Sequence, residues 1–102
     1  MALKTRPFDA AAYLEDDEAI IEYLEEAMKI ATKDSDPSFL TVALGTVARA
    51  RGMAQIAKDA GLSRESLYKA LGSEGNPEFG TVLKVLQALG LKLSIQSQGS
   101  AA

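Results

Sequence analysis

The sequence predicts a mostly all-α fold of five to six helices that ends in one short strand. Apolar residues recur at spacings of three and four in several segments, which is the period of a helix with one buried face. Capping residues, glycines and prolines lie between those segments, and only residues 91–96 alternate convincingly between apolar and polar side chains. A chain of 102 residues with 47% hydrophobic composition is long enough for one small globular domain.

Capping residues place the first helices. Asp9 is positioned to cap a short helix over residues 10–14, and Asp16 to cap a longer one. Asp36 followed by Pro37 predicts the start of a third helix, because proline is accepted at the first helical position. The predicted buried residues of the second and third helices are Ile20, Leu24, Ala27, Met28, Ala31, Leu40, Ala43, Leu44 and Val47.

Shorter helices follow. Residues 53–59 and 64–71 form two helical patterns separated by a Gly-Leu-Ser turn, and a loop rich in glycine comes after them. The last helix is predicted over residues 79–89 and stops at a glycine. Its predicted apolar face is formed by Phe79, Val82, Leu83, Leu86 and Leu89.

Residues 91–96, L-K-L-S-I-Q, have the period-two pattern of a half-buried strand, with Leu91, Leu93 and Ile95 as its apolar side chains. One strand cannot satisfy its own backbone hydrogen bonds, and an open edge invites pairing. We therefore expect it to pair with the same strand of a second copy in a homodimer; pairing within the chain is the alternative. Residues 97–102 are small and polar and are expected to be a disordered tail.

The two short helices have the residues of a helix-turn-helix motif. Ala57 is small enough for the second helix to cross closely, and Gly61 suits a turn with a positive φ. Ser63 is a good N-cap for the second helix. The apolar contact between the helices is predicted for Ile56, Leu62, Leu67 and Ala70 or Leu71.

With its leucines inward, the second helix presents its polar side chains to solvent. Such a helix fits the major groove of DNA, where arginine and lysine can read guanine and glutamate can accept from cytosine. The two serine hydroxyls could contact a phosphate or a base, the tyrosine hydroxyl a phosphate, and a glutamine amide of the preceding helix the DNA backbone. The alternative is an ordinary helical hairpin whose charged face is only solvated. The predicted DNA-binding residues are Gln55, Ser63, Arg64, Glu65, Ser66, Tyr68 and Lys69.

Charge divides the chain into two parts. Residues 1–36 carry ten acidic and four basic side chains, a net charge of −6, whereas residues 37–102 carry four acidic and seven basic ones, a net charge of +3. We expect residues 1–36 to be an acidic helical segment packed on the core, and residues 37–96 to be the DNA-binding domain with its C-terminal strand. The acidic part would suit a basic partner, and the basic part could meet phosphate.

Composition also argues against several classes of function. The chain has no cysteine and no histidine, so it lacks thiolate and imidazole metal ligands and the usual general base. No acid–base pair or phosphate-binding glycine loop stands out, and we expect no enzyme, no cofactor and no metal site. The first residues lack the apolar run of a signal peptide, and the longest uncharged stretch, residues 37–48, is too short to span a bilayer. We therefore expect a cytoplasmic protein without a membrane partner.

Five stretches of the chain are similar to a known family. They are TRPFDAAAYL (5–14), AIIEYLEEA (19–27), ALGTVARARGM (43–53), GLSRESLYKAL (61–71) and GNPEFGTVLKVLQALGLKL (75–93). The chain resembles Cro/repressor-type helix-turn-helix domains and, more narrowly, the addiction-module antidote proteins, which are HigA-like antitoxins of type II toxin–antitoxin systems. The resemblance is specific because it extends beyond the helix-turn-helix motif. One departure is Met53, where many repressors of this superfamily carry a glutamine that contacts a phosphate.

The resemblance implies a bacterial antitoxin that binds double-stranded DNA at its own operator, represses its operon as a homodimer and neutralises a RelE/ParE-like toxin by direct binding. The acidic helix would contribute to toxin binding through Glu22, Glu25 and Glu26. A solvated helix face, and a toxin-contacting arm at residues 1–8, are the alternatives for that role. Two other functions stay open: a stand-alone prophage-type regulator without a toxin, and a protein-interaction adapter that does not touch DNA.

Overall fold

The computed structural model describes residues 16–98, which form five α-helices and no β-strand between those limits. The helices are α1, Asp17–Asp34; α2, Ser38–Arg51; α3, Met53–Ala60; α4, Arg64–Ala70; and α5, Phe79–Ala88. The mostly all-α fold is therefore confirmed. The short helix predicted over residues 10–14, and residues 99–102 of the predicted tail, lie outside the described residues. In the described part of the chain, no helix is both long enough and apolar enough to cross a membrane.

Capping groups set both ends of α1. The Asp16 carboxylate accepts a hydrogen bond from the backbone N–H of Glu18 at 2.9 Å. At the other end, Ser35 adopts a left-handed conformation with a φ of 53°, and the N–H of Asp36 donates to the carbonyl of Ala31 at 2.9 Å. These bonds satisfy backbone groups that the ends of a helix leave unpaired.

Asp36 then caps α2. Its Oδ1 accepts from the hydroxyl of Ser38 at 2.7 Å and from the backbone N–H of Ser38 at 3.0 Å. Both hydrogen bonds lower the pKa of the Asp36 carboxyl from its ordinary value because they favour the ionised form. The bond from the Ser38 hydroxyl has the larger effect. Pro37 has helical dihedral angles, φ −68° and ψ −10°, as expected for a proline at the start of a helix.

One hydrophobic cluster contains side chains from all five helices. α1 packs along α2, and α3 packs against α2, α4 and α5. Full burial of a leucine, isoleucine or valine side chain contributes about 1.5–3 kcal/mol, so this cluster is the main source of stability. The largest fully buried side chains are Ile20, Leu44, Leu67, Val47 and Val85.

α5 corrects the predicted apolar face of the last helix. Phe79 is 67% exposed and Leu83 is 37% exposed, whereas Val85, which lies outside the predicted face, is fully buried. Val85 lies three residues after Val82 and four before Leu89, so its face also has helical spacing. Periodicity alone does not separate these two faces, and the packing of α5 on α3 selects the one that contains Val85.

The strand predicted over residues 91–96 is not formed, because residues 91–98 have no regular secondary structure. A strand needs a hydrogen-bonded neighbouring strand, and residues 16–98 contain none. Leu91 packs partly against the core, Leu93 is 39% exposed and Ile95 is 98% exposed. The three apolar side chains therefore do not share one buried face in a single chain.

Candidate nucleic-acid interface

A tight turn joins α3 to α4. Gly61 has a left-handed conformation, φ 74° and ψ 31°, which strains any residue with a side chain. Its N–H donates to the carbonyl of Lys58 at 3.2 Å, and the N–H of Leu62 donates to the carbonyl of Ala57 at 2.8 Å. This pair of bonds is a Schellman motif, which ends a helix and redirects the chain. The turn therefore favours glycine at this position, as the sequence predicts.

Ser63 starts α4. Its hydroxyl oxygen accepts from the backbone N–H of Ser66 at 3.0 Å, which satisfies one of the unpaired N–H groups of the first turn. The Ser63 hydroxyl also donates to the Ser66 hydroxyl at 2.9 Å. Both side chains are exposed. Because the Ser66 hydroxyl still has its own proton to donate, it remains able to contact a second acceptor.

Buried leucines orient α4. Leu67 is fully buried, and Leu71, just beyond the helix, is 3% exposed. The sequence left open whether Ala70 or Leu71 completes the apolar contact between α3 and α4. Leu71 is the buried one, and Ala70 is half-buried. On the α3 side the contact is formed by the buried Ile56. Since Leu67 and Leu71 lie one turn apart on the same face, the positions of α4 other than Leu67 and Ala70 point to solvent.

The outward side chains of α4 form one surface. Arg64, Glu65, Tyr68 and Lys69 line a single open concavity of about 580 Å³. The Arg64 guanidinium lies 6.0 Å from the centroid of the Tyr68 ring, at the outer limit of a cation–π contact. Glu65 and Lys69 have the spacing of a helical ion pair, but in the described part of the chain they do not form one; Arg51 and Asp17 do. The charged groups of α4 are therefore available to a ligand.

Two residues of α3 bear on the predicted contact with the DNA backbone. The side-chain amide of Gln55 donates to the carboxylate of Asp59 at 2.8 Å, one turn further along the helix. Gln55 must leave this bond, or use its second N–H, to contact a DNA backbone. Met53 is 6% exposed and belongs to the core, so it cannot take the place of the phosphate-contacting glutamine.

The acidic residues proposed for toxin binding lie on another part of the molecule, along α1. Glu22, Glu25 and Glu26 are all exposed. Glu26 lines a groove between α1 and α2, whereas Glu22 and Glu25 do not. The structure therefore distinguishes carboxylates that the sequence presents as equivalent.

Sequence reasoning missed the apolar residues of this groove, in which Phe39 and Val42 are 44% and 53% exposed. The sequence did contain a sign of them, because Phe39 and Val42 are apolar residues next to the predicted inward positions Leu40 and Ala43 of α2. Also missed was the bond between the Arg51 guanidinium and the Asp17 carboxylate, which joins the end of α2 to the start of α1. The groove is lined by Tyr23, Glu26, Ala27, Ile30, Ser38, Phe39, Val42 and Ala43.

Between residues 16 and 98, no cluster of acidic residues could hold a metal ion. The fold and its two surfaces define a small α-helical protein that presents a mixed-charge helix face and an apolar groove to solvent. The sequence profile of the family "Probable addiction module antidote protein" matches residues 4–97, and the chain belongs to this family. The chain is 46% identical over 96 residues to an uncharacterized protein of Haemophilus influenzae, which covers 94% of this chain and 95% of that protein. No solved structure matches the chain.

Proposed function

We propose that this antidote protein is a non-enzymatic antitoxin that binds its own operator through α4, represses its operon and neutralises a RelE/ParE-like toxin by direct binding. The surface of α4 carries the proposal for DNA: Arg64, Glu65, Tyr68 and Lys69 face solvent together while Leu67 is buried. Membership of the antidote family supports the toxin partner.

The α4 surface has the donors and acceptors that base edges require. Arg64 can donate two N–H groups to O6 and N7 of guanine, Lys69 can donate to guanine or to a phosphate, and Glu65 can accept from N4 of cytosine. An α-helix with its side chains is about 10–12 Å in diameter, which fits a major groove about 12 Å wide. The residues whose hydroxyl or amide groups would support these contacts are Gln55, Ser63, Ser66 and Tyr68.

Charge supports the proposed toxin contact. Residues 16–36 carry eight acidic and two basic side chains, so the net charge of −6 in residues 1–36 lies in and beside α1. A basic toxin would associate faster with this surface, because electrostatic complementarity raises the association rate more than the affinity. The proposed acidic contacts are Glu22, Glu25 and Glu26.

A homodimer is part of the proposal because the end of the described chain presents apolar side chains to solvent. Ile95 is 98% exposed and Leu93 is 39% exposed. Pairing residues 91–96 with the same segment of a second copy would supply the neighbouring strand that the described part of one chain lacks. A two-fold dimer would then present two copies of α4 to DNA, about 34 Å apart, which is one turn of the double helix.

We expect the wild-type chain to sediment as a dimer and the Ile95→Asp variant as a monomer at the same concentration. A carboxylate at this position would have to leave water when two copies pair, which is costly for a charged group. Ile21→Asp is the matched control, since Ile21 is 40% exposed on α1, and it should stay dimeric. Analytical ultracentrifugation measures all three. A monomeric wild-type chain, or a dimeric Ile95→Asp variant, would contradict this arrangement.

We expect the protein to shift DNA from the region upstream of its own gene and to protect a pseudo-palindrome with half-sites about 34 Å apart. A random fragment of equal length should bind about a thousandfold more weakly, or weaker still. Affinity for the operator should fall steeply with salt, because each phosphate contact releases counterions. The absence of any shift at low salt would reject DNA binding and favour the adapter.

A stand-alone regulator without a toxin partner is the second candidate function, because the proposed DNA-binding surface of α4 supports it and it needs no role for α1. One measurement distinguishes it from an antitoxin. An antitoxin should co-purify with the protein encoded by the neighbouring reading frame when the two are expressed together, whereas a stand-alone regulator should bind the operator and leave that protein unbound.

A further inference from the structure

The groove between α1 and α2 is an apolar surface that the α4 site does not use. Tyr23, Ala27 and Ile30 form its α1 side, and Phe39 and Val42 form its α2 side. On each helix these residues are spaced by three or four, so their side chains lie on one face and meet across the seam between the helices. Apolar side chains gathered in an exposed patch mark an interaction site, whereas scattered single ones are ordinary.

An acidic border is formed by Glu26, which lines this groove, together with acidic residues close to it in the chain. Glu22, which does not line the groove, lies one turn before Glu26 on α1. Asp34 and Asp36 flank the turn that joins α1 to α2. Two lysines in residues 16–36 leave the net charge of that segment at −6. An apolar groove with an acidic border selects a partner whose apolar side chains are flanked by lysine or arginine.

We propose that this groove is the docking site of the toxin and takes an amphipathic helix that carries basic side chains beside its apolar face. Its apolar side chains enter between Tyr23 and Val42, and its basic side chains meet Glu26. This inference rests on the proposed antitoxin function and names the surface that performs it. Recognition of this kind places apolar side chains three and four residues apart into a hydrophobic groove.

The magnitudes favour the apolar residues as the source of affinity. An exposed ion pair between an acidic residue of α1 and a basic partner contributes little, because water and salt screen both charges. Truncating a well-packed aromatic or apolar anchor at the centre of an interface can weaken binding by about 30-fold or more. Phe39 and Val42, the most exposed apolar groups of the groove, are the residues expected to act as anchors. The acidic border then sets orientation and rate.

The two surfaces of the protein share no residue. The groove is built from α1 and α2, and the proposed DNA-binding surface is built from α4. Substitutions in the groove should therefore change toxin binding and leave operator binding intact. This separation provides an internal control for folding in every variant.

The experiment titrates the full chain with the protein encoded by the neighbouring reading frame, by isothermal titration calorimetry. We expect Phe39→Asp and Val42→Asp each to weaken binding by about 30-fold or more. Both side chains are exposed, so operator binding and the thermal unfolding midpoint should stay close to those of the wild type. Ile21→Asp, the same kind of change on α1 outside the groove, should stay within about threefold of wild type.

A second readout tests the acidic border. Glu26→Gln should lower the association rate in stopped-flow mixing more than Glu25→Gln does, because Glu26 lines the groove and Glu25 does not. The difference should shrink as salt is raised, since screening weakens the attraction between exposed charges.

The outcomes separate the groove from the antitoxin function. Wild-type affinity in both Phe39→Asp and Val42→Asp would overturn the groove and leave toxin binding established. Failure of the wild-type chain to bind would reject the antitoxin function and the groove together. If Val42→Asp abolished self-association, the occupant of the groove would be a second copy of this chain, and the proposal that the toxin docks there would be overturned. Loss of toxin binding in Phe8→Asp, with Val42→Asp unaffected, would move the contact to residues 1–8.

Discussion

The double variant Arg64→Ala/Lys69→Ala is expected to lose the preference for operator DNA while keeping its fold. Each of the two side chains can supply about 1–3 kcal/mol of discrimination between bases, so the pair accounts for about 2–6 kcal/mol. The ratio of specific to non-specific affinity should therefore fall by between about 30-fold and 10⁴-fold. Both side chains are exposed, so the free energy of unfolding should change by no more than about 0.5 kcal/mol.

Competition mobility shifts with operator and scrambled DNA at fixed salt measure this ratio. The matched control is Lys29→Ala/Lys33→Ala, which removes two exposed positive charges from α1. It should keep the ratio within about threefold, because charges more than about 8 Å from DNA are largely screened at physiological salt. Full specificity in the α4 double variant would exclude α4 as the recognition helix and favour the helical hairpin with a solvated face.

The Gly75→Ala variant is expected to lose about 2–3 kcal/mol of unfolding free energy. A Cβ at this position would overlap the carbonyl oxygen of Ala70, and it would lie 2.6 Å from both the Ala70 carbonyl carbon and the Lys69 carbonyl oxygen. These are backbone atoms at the end of α4, so no side-chain rotation can relieve the overlap. In a domain of this size the thermal midpoint should fall by roughly 10–20 °C.

Gly80→Ala adds the same methyl group where it meets nothing. Apart from its chain neighbours and the nearby backbone of its own helix, no heavy atom lies within 4 Å of the new Cβ, and the residue is in α5, where alanine is favoured over glycine. Its midpoint should equal that of the wild type or rise slightly. Thermal unfolding followed by circular dichroism compares the two variants. Equal midpoints would show that the loop at Gly75 moves away from α4 without cost.

Helix boundaries could be predicted from the sequence because the groups that form them lie close together in the chain. Asp16 and Asp36 each cap a backbone N–H two residues later. The Gly61 turn is closed by bonds that reach only three to five residues back. Such contacts are visible in a short stretch of sequence, whatever the rest of the fold does.

Features that depend on how helices meet could not be predicted in this way. Val85 and Phe79 both have helical spacing relative to other apolar residues, and only the packing of α5 on α3 decides which is buried. The overlap that a side chain at Gly75 would cause depends on the path of a loop. Residues 91–96 have a strand pattern, but residues 16–98 contain no strand to pair with them.

The candidate sites show the same division. The outward face of α4 follows once Leu67 and Leu71 are placed inward, and the bond from Gln55 to Asp59 has a spacing that the sequence displays. The groove has no such signature. Its shape depends on the register between α1 and α2, which brings Tyr23 and Val42 to the same opening.

The arrangement of α1, α2 and α3 in one folded unit has a thermodynamic consequence. The Arg51 guanidinium at the end of α2 is bonded to the Asp17 carboxylate at the start of α1, and the single residue Gly52 separates α2 from α3. The helix that carries Val42, α2, thus leads directly into the α3–α4 pair that carries the proposed DNA-binding surface, with no flexible linker between them. Coupling between two binding sites on one folded unit is reciprocal. If the protein binds both a toxin and its operator as proposed, whatever factor toxin binding applies to operator affinity, operator binding applies equally to toxin affinity. Measuring one direction then determines the other.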